Sequence, residues 1–393
     1  MPVNLLDYLV NNSIYRFEEK PFNDIDGLLM TKLTYLNWRE VVDEKPVRLG
    51  QAADRYFLLN GPDSIGDNKH KRLYRMALSL MAHSNRYKDI RLMDYVCDVD
   101  YEKEKQFGAM TMEIGRKLYY VAFQGTDGMV ASWKEDFNMA YTTPVPAQQD
   151  AEAYLHRQLI SRRGRFMVGG HSKGGNLAVY AAVKNLNPRI IKVHNFDGPG
   201  FSEQFIQQKN YQKMLPRMLT IVPESSIIGN LMNSRIEKKI VASQAREITE
   251  QHNGINWEVD DDDFKVVESQ SEFSRFINEG LSDWFRDLSN QQKEVFINTV
   301  YDTITDMKLQ TVRDLENRKS EFLSRSISGF SKYDPDTRNI MVQTLLSLLK
   351  SSGLSFVNTF FLSRVNRLLE RNRREKAEEE AQQKETASDN HRL

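Results

Sequence analysis

At 393 residues the chain has room for one large domain with an appendage, and its 54 basic side chains balance 54 acidic ones, so overall charge gives no argument for nucleic acid. Apolar residues at 40% and aromatics at 10% are ordinary for a folded protein. The one cysteine, Cys97, excludes an intramolecular disulfide framework and fits a reducing, cytoplasmic setting. Met1–Asn12 carries Asp7 and no basic cluster, so it does not read as a secretory signal. The sequence holds no G-x-x-x-x-G-K-[ST] phosphate loop, no Cys/His spacing suited to zinc and no internal repeat.

Residues 1–90 read as an N-terminal helical segment packed on the core. Asn23-Asp24-Ile25-Asp26 can start a helix whose Ile25, Leu28, Leu29, Leu33 and Leu36 share one face. A turn-rich stretch, 61–69, precedes a second helix from about Lys71 to Ala82. From Arg91 the apolar period changes to two, and 91–100, 105–114 and 117–123 read as three strands. The third runs into Gln124-Gly125-Thr126-Asp127-Gly128. A helix over 150–162 leads to Phe166-Met167-Val168, a short strand. Beyond residue 186 come a strand at 190–196, a helix at 201–213, a strand at 218–222 and one more over 238–248.

Strands alternating with helices predict an α/β fold, a mainly parallel sheet covered on both faces, with its core at 91–265. From about Ser271 strand signals cease. Helices near 272–288, 291–316 and 338–372 make 271–372 an α-helical C-terminal appendage, with Phe296, Val300, Ile304 and Met307 as one apolar stripe. Residues 373–393 read as a charged, disordered tail. The stretch 340–374 ends in five arginines and is a candidate for peripheral contact with an anionic membrane surface, a solvated helix end being the plainer reading.

The chemistry gathers at Gly170-His171-Ser172-Lys173-Gly174, placed as strand, sharp turn, helix. A nucleophile in such a turn occupies a strained backbone conformation, and small residues two before and two after let strand and helix approach. The turn lifts the Ser172 hydroxyl above the sheet edge and aims the Lys173 amide at a developing oxyanion, with the helix N-terminus adding favourable potential. A serine hydroxyl needs a base, and the base needs an orienting acid. In this architecture the chain order is Ser, acid, His. The strands after Ser172 end at Asp197 and then at Glu224, and His252 follows the last. The acid usually sits two strands after the nucleophile, so Glu224 is the first choice, with Asp197 as runner-up or as a brace. His171 is expected to point away from the reacting centre, and His194 to be buried structure. The second oxyanion donor is expected from the loop Gly125-Thr126, braced by Asp136.

Four motifs together resemble the class 3 lipase-like (fungal-lipase-like) branch of the α/β-hydrolases, in a bacterial group of low-GC Gram-positive type. The family's A-F-R-G-T strand end and D-W-x-x-D stretch read here as Ala122-Phe123-Gln124-Gly125-Thr126 and Ser132-Trp133-Lys134-Glu135-Asp136. Its G-H-S-L-G-G turn is similar to 170–175, and its F-G-x-P strand end to Phe196-Asp197-Gly198-Pro199. The resemblance spans about residues 90–260. It implies Ser172 as nucleophile, Thr126 and Lys173 as the oxyanion hole, His252 as base, and hydrolysis of small-molecule or lipid esters without a cofactor. Lys173 stands where the family has Leu, and would place a cation near the site that favours anionic substrates, or else face solvent. A catalytically silent hydrolase fold serving as an interaction module, and a thioesterase or peptidase using the same triad, are the alternatives.

Overall fold

One sheet of eight strands organises the first part of the chain, and each strand lies beside its neighbours in sequence. The strands are β1 (Val47–Arg48), β2 (Arg91–Asp100), β3 (Lys105–Gly115), β4 (Leu118–Phe123), β5 (Arg165–His171), β6 (Ile190–Phe196), β7 (Met218–Pro223) and β8 (Lys238–Val241). Pairing is antiparallel from β1 to β4 and parallel from β4 to β8. The structure, a computed structural model, describes residues 3–61, 69–100, 102, 105–126, 135, 138–139, 142–226, 228–246, 248–271, 289–308 and 317–331, with scattered positions from 333 to 346. The chain divides into two units, Met1–Arg286 and Asp287–Leu393.

Helices cover both faces of the sheet, as an α/β fold requires. Against one face lie α1 (Leu5–Asn11), α2 (Asp24–Leu33), α3 (Leu49–Asn60) and α4 (Lys69–Ala82). Asn23 starts α2: its side chain accepts from the Asp26 amide, and the Asp26 carboxylate accepts from the Asn23 amide. Leu28, Leu29 and Leu33 then enter an apolar core that also takes Tyr120, Phe196 and Trp257. Against the other face lie α5 (Pro146–Ser161), α6 (Lys173–Asn185), α7 (Glu203–Ile206) and α8 (Lys209–Met214).

The differences from the sequence expectations have local causes. The single helix expected over 201–213 is two short ones, because Ser202 caps a turn that ends at Gln207 before Gln208 starts the next. The strand over 238–248 stops at Val241, where Ala242 pairs instead with Lys265 and Glu258. The N-terminal helical segment resolves into α1, α2, α3 and α4, of which α1, at 7 residues, is too short for its periodicity to stand out. After the short helix α9 (Ile248–Gln251), the acidic residues Asp260 to Asp263 form a tight hairpin, β9 (Val259–Asp260) with β10 (Asp263–Phe264).

The parallel registers set the site. Phe123 pairs with Gly170, His171 with Phe196, and Phe196 with Ile221. The carboxyl ends of β4 to β7 therefore lie level, and residues 124–126, 172, 197 and 224 follow them along one edge. Sites of open α/β sheets lie at this edge.

In the second unit, α10 (Asn290–Asp306) and α11 (Lys319–Phe330) pack together, the ring of Phe296 stacked on Phe330 at 5.7 Å. Phe296, Val300, Ile304 and Met307 are buried. The segments 272–288 and 351–393, and most of 338–350, lie outside the described residues. Among the described residues no helix is long and apolar enough to cross a membrane.

Candidate active site

Ser172 sits between β5 and α6 with φ 58° and ψ −131°, a left-handed region that costs a side-chain-bearing residue strain. The flanking glycines make that turn sterically possible. A Cβ on Gly170 would fall 2.0 Å from the Gly174 carbonyl, and one on Gly174 would fall 2.2 Å from the Phe123 carbonyl oxygen. The Ser172 amide donates to Phe196 O at 2.9 Å, which ties the turn to the end of β6.

The next residue on β6's end is Asp197, which is fully buried and also left-handed at φ 50°. It stands where the F-G-x-P pattern has glycine, and aspartate is among the few side chains that tolerate that backbone. The turn throws the short carboxylate back under the loop that carries His252. His252 Nδ1 lies 2.6 Å from Asp197 Oδ2. A carboxylate accepts, so Nδ1 carries the hydrogen and Nε2 of the neutral ring is left as the bare nitrogen. The other carboxylate oxygen accepts from the Ser226 hydroxyl and from the Gly229 amide at 3.1 Å. Every demand of this buried charge is met, which is the condition for burying it.

Glu224, the first choice for the acid, does not orient His252. It follows β7, its amide bonded to Val241 O and its carbonyl to the Ser271 amide. Its side chain lines a cavity of about 600 Å³ with Arg246, Gln251 and Glu258. Strand counting points to Glu224, whereas β6, the strand beside β5, ends on the left-handed Asp197, whose carboxylate meets His252.

The Lys173 side chain corrects a second expectation. It reaches neither the site nor solvent. Its Nζ is buried and lies 3.0 Å from Glu135 Oε2, 3.0 Å from Gln106 O and 3.3 Å from Gln106 Oε1. Glu135 also accepts from the amides of Gln106 at 3.0 Å and Ala147 at 2.8 Å. The ion pair thus fastens the start of α6 to β3 and to the start of α5, and offers no cation to a substrate. The Lys173 amide is the first of α6, where the helix dipole favours negative charge.

Thr126 is half-buried just beyond β4, and Gly125 beside it packs on the turn. A Cβ on Gly125 would fall 2.4 Å from His171 O and 3.2 Å from Ser172 Cβ. Asp136 lies outside the described residues.

His171, expected to point away from the reacting centre, instead faces His252. Its buried ring lies 4.6 Å from that of His252, and its Nε2 lies 2.6 Å from the His252 carbonyl oxygen. Its Nδ1 lies 3.1 Å from the hydroxyl of Tyr35. Beneath Tyr35 is Lys32 of α2, whose buried Nζ has no hydrogen-bond partner among the described residues and stands 5.4 Å and 5.5 Å from the ring centres of Tyr35 and Tyr74. Burial holds the Lys32 amine well below the ordinary lysine range, the Asp197 charge opposing this. Burial first, and then Lys32 and His252, hold His171 well below the ordinary histidine range. Tyr35, Lys32 and Glu135 were not foreseen. The first two lie over 130 residues before Ser172 in the chain, and only Glu135 sat inside a quoted motif. Among the described residues no cluster of His, Cys, Asp and Glu is arranged to hold a metal ion.

A family model described as Mbeg1-like matches residues 81–302, more than half of the chain. No curated protein matches. Among solved structures, the native Rhizomucor miehei lipase propeptide complex aligns at 14% identity and a TM-score of 0.34, covering 56% of this chain and 70% of that one. The M37 lipase aligns at 14% identity and a TM-score of 0.31, covering 53% of this chain and 68% of that one. Overlaps this loose carry no argument about activity.

Proposed function

The chain belongs to the Mbeg1-like family, and we propose that it is a serine hydrolase that cleaves carboxylic esters, lipid esters foremost, through Ser172, His252 and Asp197. The observation that supports this most is the Asp197–His252 hydrogen bond at 2.6 Å beside a serine held in a strained turn. His252 Nε2 takes the Ser172 proton as Oγ attacks the ester carbonyl. The oxyanion is met by the amides of Thr126 and Lys173. Collapse passes the proton from Nε2 to the leaving alcohol, leaving an acyl-serine. Water, its proton taken by the same nitrogen, attacks that ester, and the acid departs with Ser172 restored. Asp197, charged throughout, holds the ring and stabilises the imidazolium.

No hydrogen bond joins Ser172 to His252 among the described residues, and such bonds commonly tighten only when substrate is bound. The burial of Lys173 against Glu135 removes the reason to favour anionic substrates. A neutral ester is the substrate we assign, in a cytoplasmic protein of a bacterial lipase-like branch that uses no metal or organic cofactor and binds no nucleic acid. A panel of p-nitrophenyl esters and phospholipids tests the reading. Ser172→Ala and His252→Ala should abolish turnover, and rates equal to wild type in both would overturn it. Absence of turnover in wild type across the panel would favour the silent, interaction-module reading.

A further inference from the structure

We propose that His171 and Tyr35 are positioning residues of the reaction: Tyr35, from the N-terminal helical segment, fixes the tautomer of His171, and His171 pins the backbone of His252. The proposal rests on the hydrolase reading and assigns that site a support from the other end of the chain. His252 stands in a loop, after α9 (Ile248–Gln251), and a loop alone does not hold an imidazole to the fraction of an ångström that proton transfer needs. Its side chain is tethered by Asp197, but that bond leaves the ring free to swing about the tether.

The main-chain tether is His171. A carbonyl oxygen can only accept, so the 2.6 Å contact from His171 Nε2 to His252 O requires the hydrogen on Nε2. Nδ1 of the neutral ring must then accept, and the Tyr35 hydroxyl at 3.1 Å is its donor. The opposite tautomer would set a lone pair against the His252 carbonyl. Because His171 immediately precedes Ser172, the base loop is fastened to the turn that carries the nucleophile. The Tyr35 hydroxyl also lies 3.3 Å from His171 O and is what a Cβ on Gly125 would strike first, at 2.3 Å. One phenol therefore touches the base's tether, the nucleophile turn and the oxyanion loop. The groups that face His171 are Lys32 on α2, His70 on α4 and the His252 ring. All are cationic or neutral, and they keep a second proton off the ring.

The test uses the full chain, a p-nitrophenyl ester and a fluorophosphonate probe. His171→Leu removes the donor, and a base displaced by about 1 Å should lower kcat about 10²-fold with KM within about twofold. His171→Gln, whose amide can again donate to the carbonyl, should recover most of that loss. Tyr35→Phe removes one hydroxyl and should lower kcat by about tenfold with KM within about twofold, since the ring loses the donor that fixes its tautomer. In the His171→Gln background the same change should cost less than in the wild type, because no ring tautomer remains to be fixed. A wild type that neither turns over ester nor takes the probe overturns the hydrolase reading on which this depends. An active wild type matched in kcat by Tyr35→Phe, or not rescued from His171→Leu by Gln, overturns the positioning role alone. Tyr35→Phe keeps the test open if His171→Leu does not fold.

Discussion

Replacing Asp197 by Asn separates the two carboxylates that the sequence offers as the acid. The carboxylate is fully buried, with one oxygen on His252 Nδ1 and the other on Ser226 and Gly229. Asn keeps the shape and loses the charge. If its NH₂ faces His252, the ring must turn its hydrogen to Nε2 and can no longer take the serine proton. If the NH₂ faces Gly229 instead, two donors collide there. The collision at Gly229 favours the first arrangement, which removes the right tautomer, and a loss of that kind is about 10⁴-fold in kcat, or about 5.4 kcal/mol of barrier. Glu224→Gln touches neither group, and its cost should stay near the ±0.5 kcal/mol usual for a half-exposed site, about twofold in rate. Steady-state hydrolysis of a p-nitrophenyl ester measures both, with thermal unfolding confirming that each variant is folded. A crippled Glu224→Gln beside a nearly normal Asp197→Asn would refute the assignment.

Other consequences follow from buried groups. Lys32→Met should stabilise the fold by roughly 1–3 kcal/mol at neutral pH, because it removes an amine buried without a partner. The sign of its pH dependence is fixed by linkage: below pH 10.5 the unfolded lysine binds a proton that the folded one, its pKa lowered by burial, does not. Wild-type stability should therefore rise toward pH 10, and the advantage of Lys32→Met should shrink by up to about 1.4 kcal/mol per pH unit between pH 8 and 10. An advantage constant with pH in denaturant titrations would contradict this. Lys173→Met leaves Glu135 charged and buried and should cost about 3–5 kcal/mol, much of which Glu135→Gln in the same chain should return. Additive losses in the double variant would dissolve the pairing. Gly174→Ala, whose methyl meets the Phe123 carbonyl at 2.2 Å, should lose both activity and folded yield; normal turnover would mean that the turn is looser than drawn.

The strands at 91–100, 105–115 and 118–123 were legible because alternation of apolar residues is a local signal, and the turn at Ser172 because its glycines follow an apolar strand. The choice between Glu224 and Asp197 as partner of His252 was not, because the contact depends on the left-handed backbone of Asp197, which no periodicity reports, whereas strand counting reports only order along the chain. Lys173 beside the nucleophile suggested a site cation because sequence shows adjacency and not direction. Its side chain leaves along α6 toward Glu135, a partner 38 residues earlier. Tyr35 and Lys32 were invisible as site residues because their helix reads as plain core, and only packing of α2 on the carboxyl edge of β5 brings them to His171.

Peptide mapping of the fluorophosphonate adduct tests the central claim most directly. The account predicts a single adduct, on Ser172, lost in Ser172→Ala and formed far more slowly in Asp197→Asn and His252→Ala. An adduct that persists in Ser172→Ala, or a Ser172 modified just as fast without His252, would contradict it.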